Sequence, residues 1–308
     1  MKFKNSLIFY LLISIGIVSC KKEDDSELIA LEERIFQAYI QSNNITVPPT
    51  ESGLYFIEET VGEGSSPKEG DWVLVNYDLY IVNGEQLIYT SEKAKAIEKN
   101  IYDSRLIYGN SKLSIGSNIQ GFDEGLYKMK EGGKAQLLFK SDLGYGKQGA
   151  GLIAPYNSML IEVELIKVIP DPVAYEKEMI QDYLDANGYT DIDTTESGLY
   201  YIQVEEGTGD SAMTGMYVSI NVDGYLLDGR KFLEEDVYRF LLGSYDYTLT
   251  PGLIEGISYM KENGKARLIV PYYLGYGDIG KSYYEGRGKV PIPPYTTLLY
   301  DIELLSAK

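Results

Sequence analysis

Met129-Lys130-Glu131-Gly132-Gly133-Lys134-Ala135, with Leu143-Gly144-Tyr145-Gly146 a little further on, is the key to this chain because it occurs twice. It returns as Met260-Lys261-Glu262-Asn263-Gly264-Lys265-Ala266 and Leu274-Gly275-Tyr276-Gly277, both displaced by 131 residues, so nothing is inserted between the two phrases in either copy. Outward from this centre, Thr50-Glu51-Ser52-Gly53-Leu54-Tyr55 reappears at Thr195 to Tyr200. Leu160-Ile161-Glu162-Val163-Glu164-Leu165 is echoed by Leu299-Tyr300-Asp301-Ile302-Glu303-Leu304. A period of this length exceeds the roughly 20–50 residues of a solenoid unit and fits two complete domains in tandem.

Each copy opens with a predicted helix. In the first, Leu28, Leu31, Ile35, Ala38 and Tyr39 recur at helical spacing. In the second, Asp171 is a candidate cap with Pro172 behind it, Met179, Ile180, Tyr183 and Leu184 form the apolar stripe, and Asn187-Gly188 closes the helix. Strands follow. Val73, Val75, Tyr77 and Leu79 alternate with Leu74, Asn76, Asp78 and Tyr80, and Val218, Ile220, Val222 and Gly224 repeat the pattern. Asn83-Gly84 and Asp228-Gly229 supply hairpin turns. A short helix is expected after Gly121 and after Gly256, and a last alternating strand carries Ile161, Val163 and Leu165 or Tyr300, Ile302 and Leu304. Helices against antiparallel strands make an α+β fold.

The 308 residues are 44% hydrophobic, enough for two cores, and carry a net charge of -18 from 46 acidic and 28 basic residues. Such acidity repels a phosphate backbone, so no nucleic-acid partner is expected. Histidine is absent, which removes Ser-His and Cys-His nucleophiles and the usual zinc and haem ligands. An enzyme built from this chain is expected to use no metal, cofactor or covalent intermediate. Acidic pairs such as Asp123-Glu124 read as solvated faces.

Lys2 and Lys4 precede an apolar run from Leu7 to Val18, too short to span a bilayer but suited to a signal-peptide core. Ile17-Val18-Ser19-Cys20 resembles a bacterial lipobox, and Cys20 is the chain's single cysteine. This predicts a signal peptide over 1–19, a lipidated Cys20 opening a tether over 20–26, and domains over 27–169 and 170–308. Lys21 after the cysteine, by the same resemblance, implies outer-membrane retention, facing the periplasm or the surface. Acyl chains anchor the domains firmly to the membrane.

The residues between the repeated phrases resemble the FKBP-type peptidyl-prolyl isomerases. In the first copy they are Tyr77, Asn83-Gly84, Ile119-Gln120-Gly121-Phe122-Asp123-Glu124-Gly125, Leu143 to Gly146, Ile153-Ala154-Pro155 and Leu160 to Leu165. In the second they are Ile254-Glu255-Gly256-Ile257, Leu274 to Gly277, Ile292-Pro293-Pro294 and Leu298 to Leu305. The resemblance implies two twisted half-barrel sheets, each around a short helix, with the leading helices outside the family pattern and available for dimerisation. It also implies catalysis of rotation about X-Pro bonds in proline-containing unfolded segments. That rotation faces a barrier of about 18–20 kcal/mol, and an apolar, dry hollow can favour the twisted amide over the planar one.

By the same resemblance, Phe122 and Ile257 are the floors of the two hollows. Tyr145 and Tyr276 donate hydroxyls to the substrate carbonyl, and Tyr77 stands on the early strand where the second copy has Val222. Ile153 and Ile292 form walls, with Leu113, Ile119 and Ile161 in one copy and Phe232, Leu249, Ile254 and Tyr300 in the other. The family's Phe-Asp pair after the hairpin is Phe232-Leu233 in the second copy, and within Leu87-Ile88-Tyr89-Thr90 neither member is kept. Core packing accounts for the same aromatics equally well. Two other functions therefore remain open from sequence: a non-catalytic peptide-binding or chaperone module, and a structural part of an envelope motility or secretion complex.

Overall fold

The computed structural model describes residues 25–103, 106, 108–190, 192, 194–244, 249–281 and 291–308. Cys20 and the signal and tether segments up to residue 24 lie outside the described residues. The first copy runs α1 (Asp25–Ser42), β1 (Tyr55–Thr60), β2 (Trp72–Ile81), β3 (Gln86–Thr90), α2 (Lys93–Glu98), β4 (Ser111–Ser114), α3 (Gln120–Lys128), β5 (Lys134–Phe139) and β6 (Met159–Ile169). The second runs α4 (Pro172–Ala186), β7 (Tyr200–Glu205), β8 (Tyr217–Leu226), β9 (Lys231–Leu241), α5 (Pro251–Ser258), β10 (Lys265–Val270) and β11 (Leu298–Ala307). The sheets are ordered β1-β5-β6-β2-β3, with β4 also on β2, and β7-β10-β11-β8-β9. Every pairing is antiparallel.

Alternation along the strands divides each sheet into two covered faces. Val73, Val75, Leu137 and Leu165 turn inward against α3, as Val218, Ile220, Leu268 and Leu304 do against α5. The opposite faces meet the leading helices: Phe36 of α1 packs on Leu138 and Leu160, and Ile180 and Leu184 of α4 pack on Ile269 and Leu299. Both leading helices thus place apolar residues on their own sheets. In α1 that stripe is shifted by one position, because Leu31 is 43% exposed while Glu32 and Phe36 are buried. Asp171 caps α4 through the backbone N–H groups of Val173 and Ala174, both at 3.0 Å.

The short inner helices lie close enough to their sheets that only glycine fits at two positions in each. A Cβ on Gly121 would sit 2.7 Å from the Phe139 ring and one on Gly125 2.3 Å from Leu137; on Gly252 and Gly256 the corresponding clashes are 2.6 Å with Val270 and 2.2 Å with Leu268. These contacts fix the register between copies: Gly252 matches Gly121, and Gly256 matches Gly125. Helix α5 accordingly starts at Pro251, five residues before Gly256, with Thr250 as its cap. This register keeps the 131-residue period, whereas a helix beginning after Gly256 does not.

The copies also touch. Trp72 meets Tyr295 edge-on at 5.4 Å, Lys112 Nζ donates to the Tyr295 carbonyl at 2.7 Å, and Arg230 Nη1 donates to the Tyr108 carbonyl at 3.1 Å. Burial holds the Lys112 ammonium down at about 8, with Glu176 acting in the opposite sense.

Candidate active site

In the first copy the hollow between β2, β3, α3 and the 144–153 loop is lined by rings. The Tyr77 ring lies 5.2 Å from Phe122 and 4.8 Å from Tyr89. Tyr145, Leu113 and Ile119 pack half-buried against the same cluster, and Ile153 closes one side. Burial, followed by the proximity of Tyr89 and Tyr145, pushes the Tyr77 hydroxyl well above the ordinary phenol range, so it stays a donor. Among the described residues neither Tyr77 nor Tyr145 directs its hydroxyl into a protein hydrogen bond. Two hydroxyls over an aromatic floor can take a peptide carbonyl and a prolyl ring together.

Two of the first copy's expected roles change. Ile161 is only 1% exposed and belongs to the core behind the floor, where no substrate reaches it. Asp123 is not a solvated acid: it is buried, and its carboxylate accepts from the backbone N–H of Gly116 at 3.1 Å and of Asn118 at 2.9 Å, and from the Asn118 amide at 2.8 Å. It fixes the loop that leads into Ile119 and Phe122. Tyr89 was missed. A bulge between Leu79 and Tyr80 hides it from a count along the hairpin, so that Leu79 pairs with Tyr89, as Gly224 pairs with Leu233. Ile88 and Tyr89 therefore stand where the second copy has Phe232 and Leu233.

The second hollow is filled differently. In the corrected register Leu253, fully buried, lies where Phe122 is, and Ile257 corresponds to Leu126 and is core at 0% exposure. Ile254 falls on the position of Asp123, half-buried against the core, and Leu249 is buried with it. Leu113, opposite Val73, is matched by Phe240, opposite Val218. Tyr300, also at 0% exposure, projects into the space that Tyr77 helps line in the first copy, edge-on to Phe232 at 5.7 Å. As a fully buried ring it is a plug and not a substrate contact. Its hydroxyl accepts from Thr250 Oγ1 at 3.4 Å and meets that of Tyr276, and burial raises its pKa far above the phenol range.

Tyr276 is engaged from outside as well. Lys281 Nζ donates to its hydroxyl at 3.1 Å and lies 4.6 Å from the ring centre. Lys281 is held there by a two-way backbone bridge to Ile292, with both N–H···O distances 2.8 Å. The matching bridge in the first copy joins Ala150 to Ile153 at 2.8 and 2.9 Å. A methyl group beside Tyr145 thus becomes an ammonium over Tyr276.

Two clefts of mixed polar and apolar lining also open on the sheets, the first of them sharing Tyr77 with the ring-lined hollow. One of about 310 Å³ is bordered by Asn76, Asp78, Glu162, Glu164 and Lys134, and one of about 510 Å³ by Asn221, Asp223, Asp301, Glu303 and Arg267.

With this geometry in place, comparison with known sequences is decisive. The sequence model described as FKBP-type peptidyl-prolyl cis-trans isomerase matches residues 63–166 and 209–305. The chain belongs to this family. It contains two tandem FKBP domains, each an α+β fold. The FKBP-type isomerase FkpA of Escherichia coli strain K12 is 32% identical over 148 residues, covering 48% of this chain and 50% of that protein, so this chain spans about half the relative's length. The FK506-binding protein of Neisseria meningitidis serogroup B is 32% identical over 117 residues, covering 38% of this chain and 96% of the relative. A crystal structure of the three FKBP domains of wheat FKBP73 superposes with a TM-score of 0.33 at 19% identity, covering 84% of this chain and 96% of that one.

Proposed function

We propose that this FKBP-family chain is a peptidyl-prolyl cis-trans isomerase and folding helper whose activity resides in the first domain. The observation that carries this is the ring-lined hollow of Tyr77, Phe122 and Tyr89 with Tyr145 at its rim, the hydroxyls of Tyr77 and Tyr145 having no hydrogen-bond partner among the described residues. The X-Pro segment of an unfolded polypeptide enters with its ring on Phe122. The dry, apolar surroundings disfavour the strongly dipolar planar amide relative to the twisted one, and a tyrosine hydroxyl holds the carbonyl. Phe122, Tyr145 and Tyr77 would carry the reaction, with Leu113, Ile119 and Ile153 as walls. A rate gain of about a million requires roughly 8 kcal/mol of such preference. A proline-peptide isomerisation assay on the full chain tests this. The expected result is catalysis that falls with Tyr145→Phe and Phe122→Ala, and rates equal to the uncatalysed reaction would reject it.

For the second domain a different reading is favoured by a specific observation: Tyr276 is already engaged by Lys281 and Tyr300. This domain acts as a binding module for extended client segments and turns over little or nothing. The same assay reads it through Tyr276→Phe, expected to leave the rate unchanged.

The chain acts at the bacterial envelope, tethered through a lipid on Cys20. Support comes from Ile17-Val18-Ser19-Cys20 behind an apolar run, and from the single cysteine of the chain standing at that point. Incorporation of labelled fatty acid into the wild type but not into Cys20→Ala is the expected outcome; equal labelling of both would reject the anchor.

A further inference from the structure

Glu32 of α1 is 7% exposed and reaches the residues just after β5 and just before β6. Its Oε1 accepts from the Ser141 backbone N–H at 2.7 Å and from Ser158 Oγ at 2.8 Å, and its Oε2 from Ser141 Oγ at 2.9 Å. The Ser141 carbonyl in turn accepts from the N–H groups of Gly144 at 2.9 Å and Gly146 at 2.8 Å, the two glycines that flank Tyr145. The second copy rebuilds the same chain of bonds. Glu176 of α4, 4% exposed, accepts from the Tyr272 N–H at 2.6 Å and from Thr297 Oγ1 at 2.5 Å. The Tyr272 carbonyl accepts from Gly275 at 3.0 Å and Gly277 at 2.8 Å, around Tyr276.

A carboxylate buried among apolar helix-to-sheet contacts is costly unless fully hydrogen-bonded. An apolar residue at this stripe position would dock the helix without that cost, so docking alone does not account for a glutamate in both copies. These glutamates grip two equivalent groups in both copies: the hydroxyl just ahead of the last strand, Ser158 or Thr297, and the first peptide of the short turn ahead of the tyrosine, of which only the second leads directly to that tyrosine.

We infer that Glu32 is a positioning residue for the isomerase site: it holds the Ser141 peptide, and through it Gly144 and Gly146, so that Tyr145 stays aimed into the hollow. Helix α1 is thereby part of the working site although it touches no substrate, and Glu176 does the same for Tyr276. This rests on the isomerase reading of the first domain.

The test uses the full chain with Glu32→Ala, Glu32→Gln and Glu32→Asp, assayed at a temperature where circular dichroism shows each variant folded. Glu32→Ala is expected to lower kcat about tenfold with KM nearly unchanged, since small misplacements of a catalytic group act on turnover. Glu32→Gln, which keeps an acceptor for the Ser141 N–H, is expected to recover most of it. Hydrogen exchange of the Gly144 and Gly146 amides should quicken about tenfold in Glu32→Ala while that of Val75 in β2 stays unchanged. Should Glu32→Ala not fold, Glu32→Asp, which withdraws the carboxylate by one methylene, should show the same pattern more weakly. Wild-type kcat together with unaltered exchange at Gly144 and Gly146 in a folded variant would overturn the inference. If the wild type proves to have no isomerase activity, the functional reading fails and the exchange measurement alone decides whether Glu32 holds the loop.

Discussion

The two domains share a strand order and a glycine-spaced inner helix, yet their hollows are set to different states. In the first, Phe122, Tyr77 and Tyr89 line a space at whose rim the Tyr145 hydroxyl has no hydrogen-bond partner among the described residues. In the second, Tyr300 fills the space and Lys281 covers Tyr276. The lesson is that a conserved scaffold does not carry the activity. A few side chains placed on it decide whether the hollow receives a ring or supplies its own.

The largest effect should follow from removing the first floor. Phe122→Ala takes a buried ring from the core and is expected to cost about 3–5 kcal/mol of stability in denaturant unfolding, along with isomerase activity. Retained activity at full stability would erase the contrast between the copies. Next comes exchange of the bridge residues. Ala150→Lys should bring an ammonium to Tyr145 and reduce isomerisation by about tenfold to a hundredfold, the worth of a hydrogen bond to a charged group. Lys281→Ala combined with Tyr300→Ile, the residue of the first copy, should raise the rate in the same assay by freeing Tyr276 and emptying the second hollow. If neither variant changes the rate, the lysine is not what separates the domains.

Smaller still is the loss of one neutral hydrogen bond. Tyr145→Phe should lower kcat/KM about tenfold and Tyr276→Phe hardly at all; equal losses would show that both domains turn over.

The weakest effect concerns the seam between the domains. Lys112 has its folded pKa lowered to about 8, below its ordinary value of 10.5. Below pH 8 both folded and unfolded states carry the proton, and the burial cost is present in full. Between about 8 and 10.5 the unfolded state binds more protons, so this residue's contribution to stability rises with pH. Denaturant midpoints across that window should rise for the wild type relative to Lys112→Met, and parallel curves would place Lys112 in solvent.

Periodic features reported themselves along the chain. The 131-residue displacement gave the duplication, alternation gave β2 and β8, and Asp171-Pro172 gave the start of α4. The glycine pair at the inner helices also obeyed that displacement, and the mistaken floor at Ile257 came from setting it aside. Most of the first hollow's residues could be named in advance because the stretches between the repeated phrases resemble the FKBP pattern, and Tyr145 because it lies in a repeated phrase. Tyr89 could not, because a bulge between Leu79 and Tyr80 shifts its register.

What the amino-acid order determined, then, was two domains, their strands and turns, and the identity of the tyrosines, since each is signalled by residues within a few positions of one another. Only tertiary packing decided that Glu32 grips Ser141 across 109 residues, that Glu176 grips Thr297 across 121, and that Lys281 lies over Tyr276. The physical reason is that burial of a charge or plugging of a hollow depends on which distant atoms fill the remaining volume. No local period encodes that.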